Sequence, residues 1–233
     1  MGYVIMSVMT VRSGGLLMED LIMTGYEFWV IMIPAAIMIV IYGLMYKRRN
    51  MEKTGGHILL LAVFAVYLFG VFYVTGAGTI FHIKQYGMEF HPDRLNLIPF
   101  SDIKNEYVEY YNYVLYYGLN IVLFMPLGFL LPLIWPKLNK MKSVLIAGIS
   151  LSLLVEISQL LNIRSTDIDD LIANTAGAIL GFFIFRLYVS ITKKDIMPIE
   201  YCKYEAAIYI AVMFLCRFFF YNELGMAKLL YGF

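Results

Sequence analysis

EISQLLNIRSTDIDDLIANTAGAILG, residues 156–181, lies between two long apolar runs and gathers Glu156, Gln159, Arg164, Asp167, Asp169, Asp170 and Asn174 in mostly hydrocarbon surroundings. Ionisable groups in or at the edge of a bilayer are costly, so they need partners or a purpose. The stretch reads as the end of one membrane span, a short turn and the start of the next. It is also where function is expected to sit.

Composition supports a membrane protein. The chain is 61% hydrophobic with a mean hydropathy of +0.74, and only 15% of its residues are charged. A water-soluble domain of ordinary composition carries about 25%. The net charge of +1 gives no reason to expect nucleic acid. Cys202 and Cys216 fall in or beside the last apolar segment, without metal-ligand or redox spacing, and read as small apolar residues.

A helix needs about 20 mostly apolar residues to cross the hydrocarbon core. Six segments qualify: Phe28–Tyr46, His57–Phe81, Tyr113–Leu131, Val144–Leu161, Ile168–Val189 and Tyr204–Tyr221. The second is free of Asp, Glu, Lys and Arg, whereas Arg217 lies inside the sixth. The expected fold is all-α: a polytopic transmembrane helical bundle of about six spans. The apolar start, Tyr3–Val11, has no basic region before it and does not read as a cleaved signal peptide. It is expected to form an arm, or the true start is Met18.

Loops after the first, third and fifth spans hold eleven of the 18 Lys and Arg, including Lys47, Lys142 and Lys193, against six in the other set. The first set is therefore expected on the cytoplasmic side. Both termini, the 82–112 loop and the Asn162–Thr166 turn are then expected outside.

At about 100° per residue, Asp167, Asp170, Asn174, Gly177 and Gly181 share one stripe of the fifth span, and Asp169 points elsewhere. Gly177 and Gly181 form a small-residue pair that lets another helix approach closely, so the polar and packing stripes are one face. Ser152, Glu156 and Gln159 share a face of the fourth span, with Glu156 roughly 8 Å from its outer end at 1.5 Å per residue. Glu156, Asp170 and Asn174 are thus expected to meet in an outward-facing pocket, with Arg164 reaching over its mouth. Thr166 to Asp169 also resembles a capping box with the hydroxyl at the N-cap, which accounts for Asp167 and Asp169 structurally. It leaves Glu156, Asp170 and Asn174 unexplained.

In the 82–112 loop, Pro92 and Pro99 prevent a continuous helix. From Ser101 the segment SDIKNEYVEYYNYVLYY is predicted to be a short interfacial helix whose tyrosines join the aromatic belt. Arg94 stands next to an apolar tether, on the carboxylate side, where it would neutralise the acids or bind an anionic head group. In the third span Asn120 is a buried amide that must find a partner, and Pro126 frees a backbone carbonyl. His57, His82 and His91 show no shared spacing, so no transition-metal site is expected. No cofactor is expected, and a divalent cation on the carboxylates is admissible but not required.

NLIPF in the outer loop, N-x-x-x-F-x-P-x-G-F-x-x-P from Asn120 to Pro132, and E-x-x-Q-x-x-x-x-R-x-x-D-x-x-D-x-x-x-N-x-x-G-x-x-x-G from Glu156 to Gly181 resemble VanZ-like family motifs. The resemblance covers roughly residues 57–190. It suggests three parts: an N-terminal arm and first helix (1–56), a VanZ-like core of four spans (57–190) and a C-terminal helix and tail (191–233). It implies a multi-pass protein of the bacterial cytoplasmic membrane. It also implies an association with reduced susceptibility to glycopeptide antibiotics, especially lipid-tailed teicoplanin. The motif residues Arg94, Asn96, Pro99, Phe100, Asn120, Glu156, Gln159, Arg164, Asp167, Asp170 and Asn174 carry over; a biochemical mechanism does not.

Three readings follow. In the first, the pocket binds an amphiphile: membrane lipid, a lipid-linked cell-wall precursor or the lipoglycopeptide itself. In the second, Glu156 and Asp170 act as general acid and base on a lipid-linked precursor, although no catalytic motif is complete. In the third, the buried acids line a lipid- or ion-transport path, against which stands the absence of an inverted repeat in the sequence.

Overall fold

Between Thr54 and Thr75 the chain carries no Asp, Glu, Lys or Arg. In a bilayer such a segment satisfies its backbone by closing its own hydrogen bonds as a helix. The computed structural model describes residues 14–48, 54–86, 95–101, 110–160, 166–193 and 204–222. Its helices are α1 (Gly14–Arg48), α2 (Thr54–Thr75), α3 (Ile80–Tyr86), α4 (Tyr110–Ile134), α5 (Met141–Leu160), α6 (Ile168–Thr192) and α7 (Glu205–Phe220), with a 3-10 turn at Pro136–Leu138. Two short strands, β1 (Leu95–Asn96) and β2 (Thr166–Asp167), pair in parallel with Leu95 opposite Thr166 and Asn96 opposite Asp167.

Among the described residues five helical stretches are long and apolar enough to cross a membrane: Leu21–Arg48, Gly55–Lys84, Val114–Ile134, Met141–Leu160 and Ile168–Thr192. The chain is a multi-pass helical bundle. The sixth expected span is shorter than foreseen: α7 has 16 residues, about 24 Å at 1.5 Å per residue, against a hydrocarbon core of about 30 Å. It belongs to the bundle all the same, packed on α1 and α2. The apolar start Tyr3–Val11 and residues 102–109 of the expected interfacial helix lie outside the described residues.

The closest helix pair is α4 with α6. A Cβ on Gly128 of α4 would overlap the Ala178 carbonyl, and Cβ atoms on Gly177 and Gly181 of α6 would overlap the carbonyls of Ile121 and Met125. The two backbones therefore touch at three points. On α5, Gly148 admits the Ala178 methyl group in the same way. Pro126 and Pro132 are both accommodated inside α4.

At the end of α2, Gly76 takes a left-handed backbone (φ 61°). Gly76 N–H donates to Tyr73 O at 3.2 Å and Ala77 N–H to Phe72 O at 3.1 Å, the glycine-terminated helix stop. Gly78 then presses against α5: its N–H donates to Ser158 Oγ at 2.9 Å, and a Cβ there would overlap the Ser158 carbonyl.

The buried charges of α1 and α7, including Arg217 of the sixth expected span, have internal partners. Arg217 of α7 donates through Nε to Glu27 Oε1 of α1 at 2.6 Å and through Nη1 to the Ala77 carbonyl at 2.6 Å. At the opposite end of the bundle, Tyr46 Oη donates to Glu205 Oε1 at 2.6 Å, and His57 Nε2 lies 3.0 Å from Tyr46 Oη and 3.1 Å from Glu205 Oε1. Tyr209 Oη donates to Leu61 O at 2.9 Å between these two anchors. Leu180, Phe183, Leu187 and Ile191 on α6, like Ile33 and Leu44 on α1, face outward, as lipid contact requires.

Gly181→Val should cost at least about 1–3 kcal/mol by forcing α4 and α6 apart, read as a lower thermal midpoint of the purified protein in detergent; Leu180→Val on the lipid face should leave the midpoint nearly unchanged. Arg217→Met should cost about 3–5 kcal/mol by leaving Glu27 buried without its cation. The double variant Glu27→Leu/Arg217→Met should recover most of that loss in the same assay.

Candidate functional site

The site begins where the two-residue ladder fixes the start of α6. Asp167, the last residue of β2, is held extended (φ −123°, ψ 129°) and its side chain accepts the Asp169 N–H at 2.9 Å. The helix cap is therefore Asp167, not Thr166 as the capping-box pattern suggested. Pairing with β1 sets the extended residue one position later. The Thr166 hydroxyl instead donates to the Glu156 carbonyl at 3.2 Å, tying α6 back to α5.

Asn96 docks the outer loop on this cap. Its Nδ2 lies 3.1 Å from Asp167 Oδ2 and 2.7 Å from Ser101 Oγ, and Ser101 Oγ donates to Asn96 Oδ1 at 3.0 Å. The loop turns back at Phe100, whose φ of 61° is left-handed, an uncommon state for a large L residue. What holds it there is a single N–H aimed between two oxygens: Phe100 N lies 3.0 Å from both Oδ1 and Oδ2 of Asp169. Tyr117 Oη of α4 donates to the same carboxylate at 2.6 Å. Asp169 is fully buried.

Asp170, the next residue, faces α4. Tyr116 Oη donates to its Oδ2 at 2.7 Å and Asn120 Nδ2 to its Oδ1 at 2.5 Å. The buried amide Asn120 thus has its partner, and it is the glycine-lined approach of α4 and α6 that brings the pair within reach. Adjacent carboxylates on one helix turn are split between two jobs, Asp169 holding the loop and Asp170 the neighbouring helix. Asp170 and Asp167 keep part of their surface exposed, as do Tyr116 and Tyr117, so among the described residues the accessible edge of the site includes these four.

Below them the expected pocket is divided. Glu156 is buried and its Oε2 accepts the Asp167 N–H at 3.3 Å. Asn174 donates to Ser152 Oγ at 3.0 Å. Gln159 donates to the Thr75 carbonyl at 2.7 Å and so closes the C-terminal end of α2. Glu156, Asp170 and Asn174 each have a different partner and share no hydrogen bond. Glu156 and Asp170 are still near enough for their charges to interact. The carbonyl oxygens of Asn174 and Gln159 are buried without a hydrogen-bond partner among the described residues. Among the described residues no Lys or Arg pairs with Glu156, Asp169 or Asp170, whose partners are all neutral donors. Arg94 and Arg164, expected over the mouth, lie outside the described residues.

Three participants escaped the sequence reading. Asp169 was set aside because it left the packing stripe, yet its partner is a loop rather than a helix. Tyr116 and Tyr117 were assigned to the aromatic belt. The spacing of Tyr116 and Asn120, four residues apart and hence on one helix face, was the available signal for the first; no comparable signal marked Tyr117. Among the described residues no group of three or more His, Cys, Asp or Glu is arranged to hold a metal ion. What the arrangement offers chemically is acceptor oxygens and aromatic faces at the rim of an apolar bundle, suited to ammonium or hydroxyl groups on a molecule that also has a hydrophobic part.

No curated protein and no solved structure matches this sequence. A family profile does, over residues 58–189, which run from α2 through α6 and take in both strands and every acid of the site. That match covers more than half of the chain, and the protein belongs to the VanZ/LLP1 family.

Proposed function

We propose that the acidic end of the bundle is an outward-facing binding site for an amphiphilic or lipid-linked envelope molecule, and that occupying it lowers susceptibility to lipoglycopeptide antibiotics such as teicoplanin. The observation that carries the reading is the state of Asp169 and Asp170. Two adjacent carboxylates are held in place by a backbone N–H, two tyrosines and an amide, with no cation from the described residues. Asp170 keeps an open edge. Pre-set acceptors of this kind suit the amines and hydroxyls of sugar or peptide head groups, while the surrounding lipid takes the tail. The protein works in the bacterial cytoplasmic membrane, with Lys47, Lys142 and Lys193 on the inner side and the acids outside.

Asp170→Asn should bring teicoplanin susceptibility to the level of cells lacking the gene while expression holds. One hydrogen bond to a charged group contributes about 1.5–3 kcal/mol, so binding should weaken roughly ten- to hundredfold. Unchanged protection would defeat the binding reading. The proximity of Glu156 to Asp170 also admits acid–base chemistry on a lipid-linked precursor. Mass spectrometry of lipids and wall precursors separates the two: a profile that changes with the gene and reverts in Glu156→Gln identifies an enzyme, and an unchanged profile with shifted susceptibility identifies a binder. For orientation, with Cys202 and Cys216 replaced by Ser, an impermeant thiol reagent should label Lys84→Cys in intact cells and Lys142→Cys only after permeabilisation.

A further inference from the structure

The described loop from Leu95 to Ser101 carries no charge, and its tip leaves large apolar side chains uncovered side by side. Leu97 is 65% exposed, Ile98 70% and Phe100 49%, with Pro99 exposed between them. A contiguous exposed apolar patch marks a contact surface, and three observations say what this one touches.

The first is the backbone. Ile98 N–H donates to Asn96 Oδ1 at 3.4 Å, Phe100 N–H to Asp169 and Ser101 N–H to Ile98 O at 3.3 Å, and Pro99 has no N–H to satisfy. Every N–H from Ile98 to Ser101 thus has a partner inside the protein, which lowers the cost of placing this stretch against hydrocarbon. The second is the neck, where the polar side chains of Asn96 and Ser101 bond each other and Asp167 instead of facing outward. The third is level. Phe100 N–H rests on Asp169, and Ile172, about 4.5 Å further along α6 at 1.5 Å per residue, already faces outward, as do Ile157 on α5 and Val114 and Leu115 on α4. The tip thus stands at the same end of the bundle as this lipid-facing surface and close to its level.

We infer that the Leu97–Phe100 tip is seated in the lipid leaflet at the acidic end of the bundle, its partner being the bilayer itself. The loop is then fixed at two points, by Asp169 on the protein side and by lipid on the other. This holds whatever the acids bind.

The test uses the full chain with Cys202→Ser and Cys216→Ser, carrying Ile98→Cys modified with an environment-sensitive fluorophore and reconstituted in phosphatidylcholine–phosphatidylglycerol vesicles. Lys142→Cys, at the opposite end, is the water-exposed control. Nitroxide-bearing lipid should quench the Ile98 label several-fold more than the control, and iodide on both sides of the membrane should show the reverse order. Equal iodide quenching of both labels overturns the inference. So does an Ile98 label that neither quencher reaches, which would place protein, such as a second copy of the chain, over the tip. Leu97→Cys provides the same readout if Ile98→Cys does not fold.

Discussion

Where a glycine faces a carbonyl, two helix axes can approach more closely than side chains otherwise allow, and three such contacts join α4 to α6. The acidic end inherits its geometry from that approach. Asn120 and Tyr116, one turn apart on α4, both reach Asp170 across the seam. A wider spacing would put the short Asn120 amide out of range, leaving a buried amide unpaired at a cost of about 1–3 kcal/mol. Tyr117, next along the helix, meets Asp169 instead, and Asp169 holds the loop. Glycine packing, carboxylate placement and loop docking are therefore one mechanical chain, each link set by the one before it.

The sequence disclosed most of this scaffold because its signals are periodic. Charge-free runs locate α2, and the stripe of Asp170, Asn174, Gly177 and Gly181 locates the packed face of α6. The misses share one cause, which is that they depend on contacts between distant segments. Asp169 is explained by Phe100, 69 residues earlier, and the helix cap by a strand pairing that no local pattern announces. Gln159 and Asn174, polar in apolar spans, each donate to a partner on another helix, one to the Thr75 carbonyl at the end of α2 and the other to Ser152. Polarity in a span shows that a partner is needed without telling whether the partner is backbone, side chain or ligand.

Charge is handled in two ways within the same end of the bundle. Arg217 and Glu27 neutralise one another in a buried ion pair, with the Ala77 carbonyl taking a further donor. The acids at the start of α6 are instead surrounded by neutral donors among the described residues. The helix start itself contributes: the positive end of the α6 dipole lies at Asp167, Asp169 and Asp170, where negative charge is favoured by about 0.3–1 kcal/mol per group. The first arrangement pairs opposite charges; the second holds its carboxylates with hydroxyl, amide and backbone N–H donors.

The Arg217–Glu27 pair also bears on how the chain is built. Arg217 lies in the last turn of α7 and is buried there, so its charge needs a partner inside the bundle. Its counter-charge is on α1, and 190 residues separate the two. The docking of α7 thus depends on a helix made much earlier in the chain. A chain interrupted before α7 leaves Glu27 buried without its cation, so the placement of α1 is completed only when α7 docks.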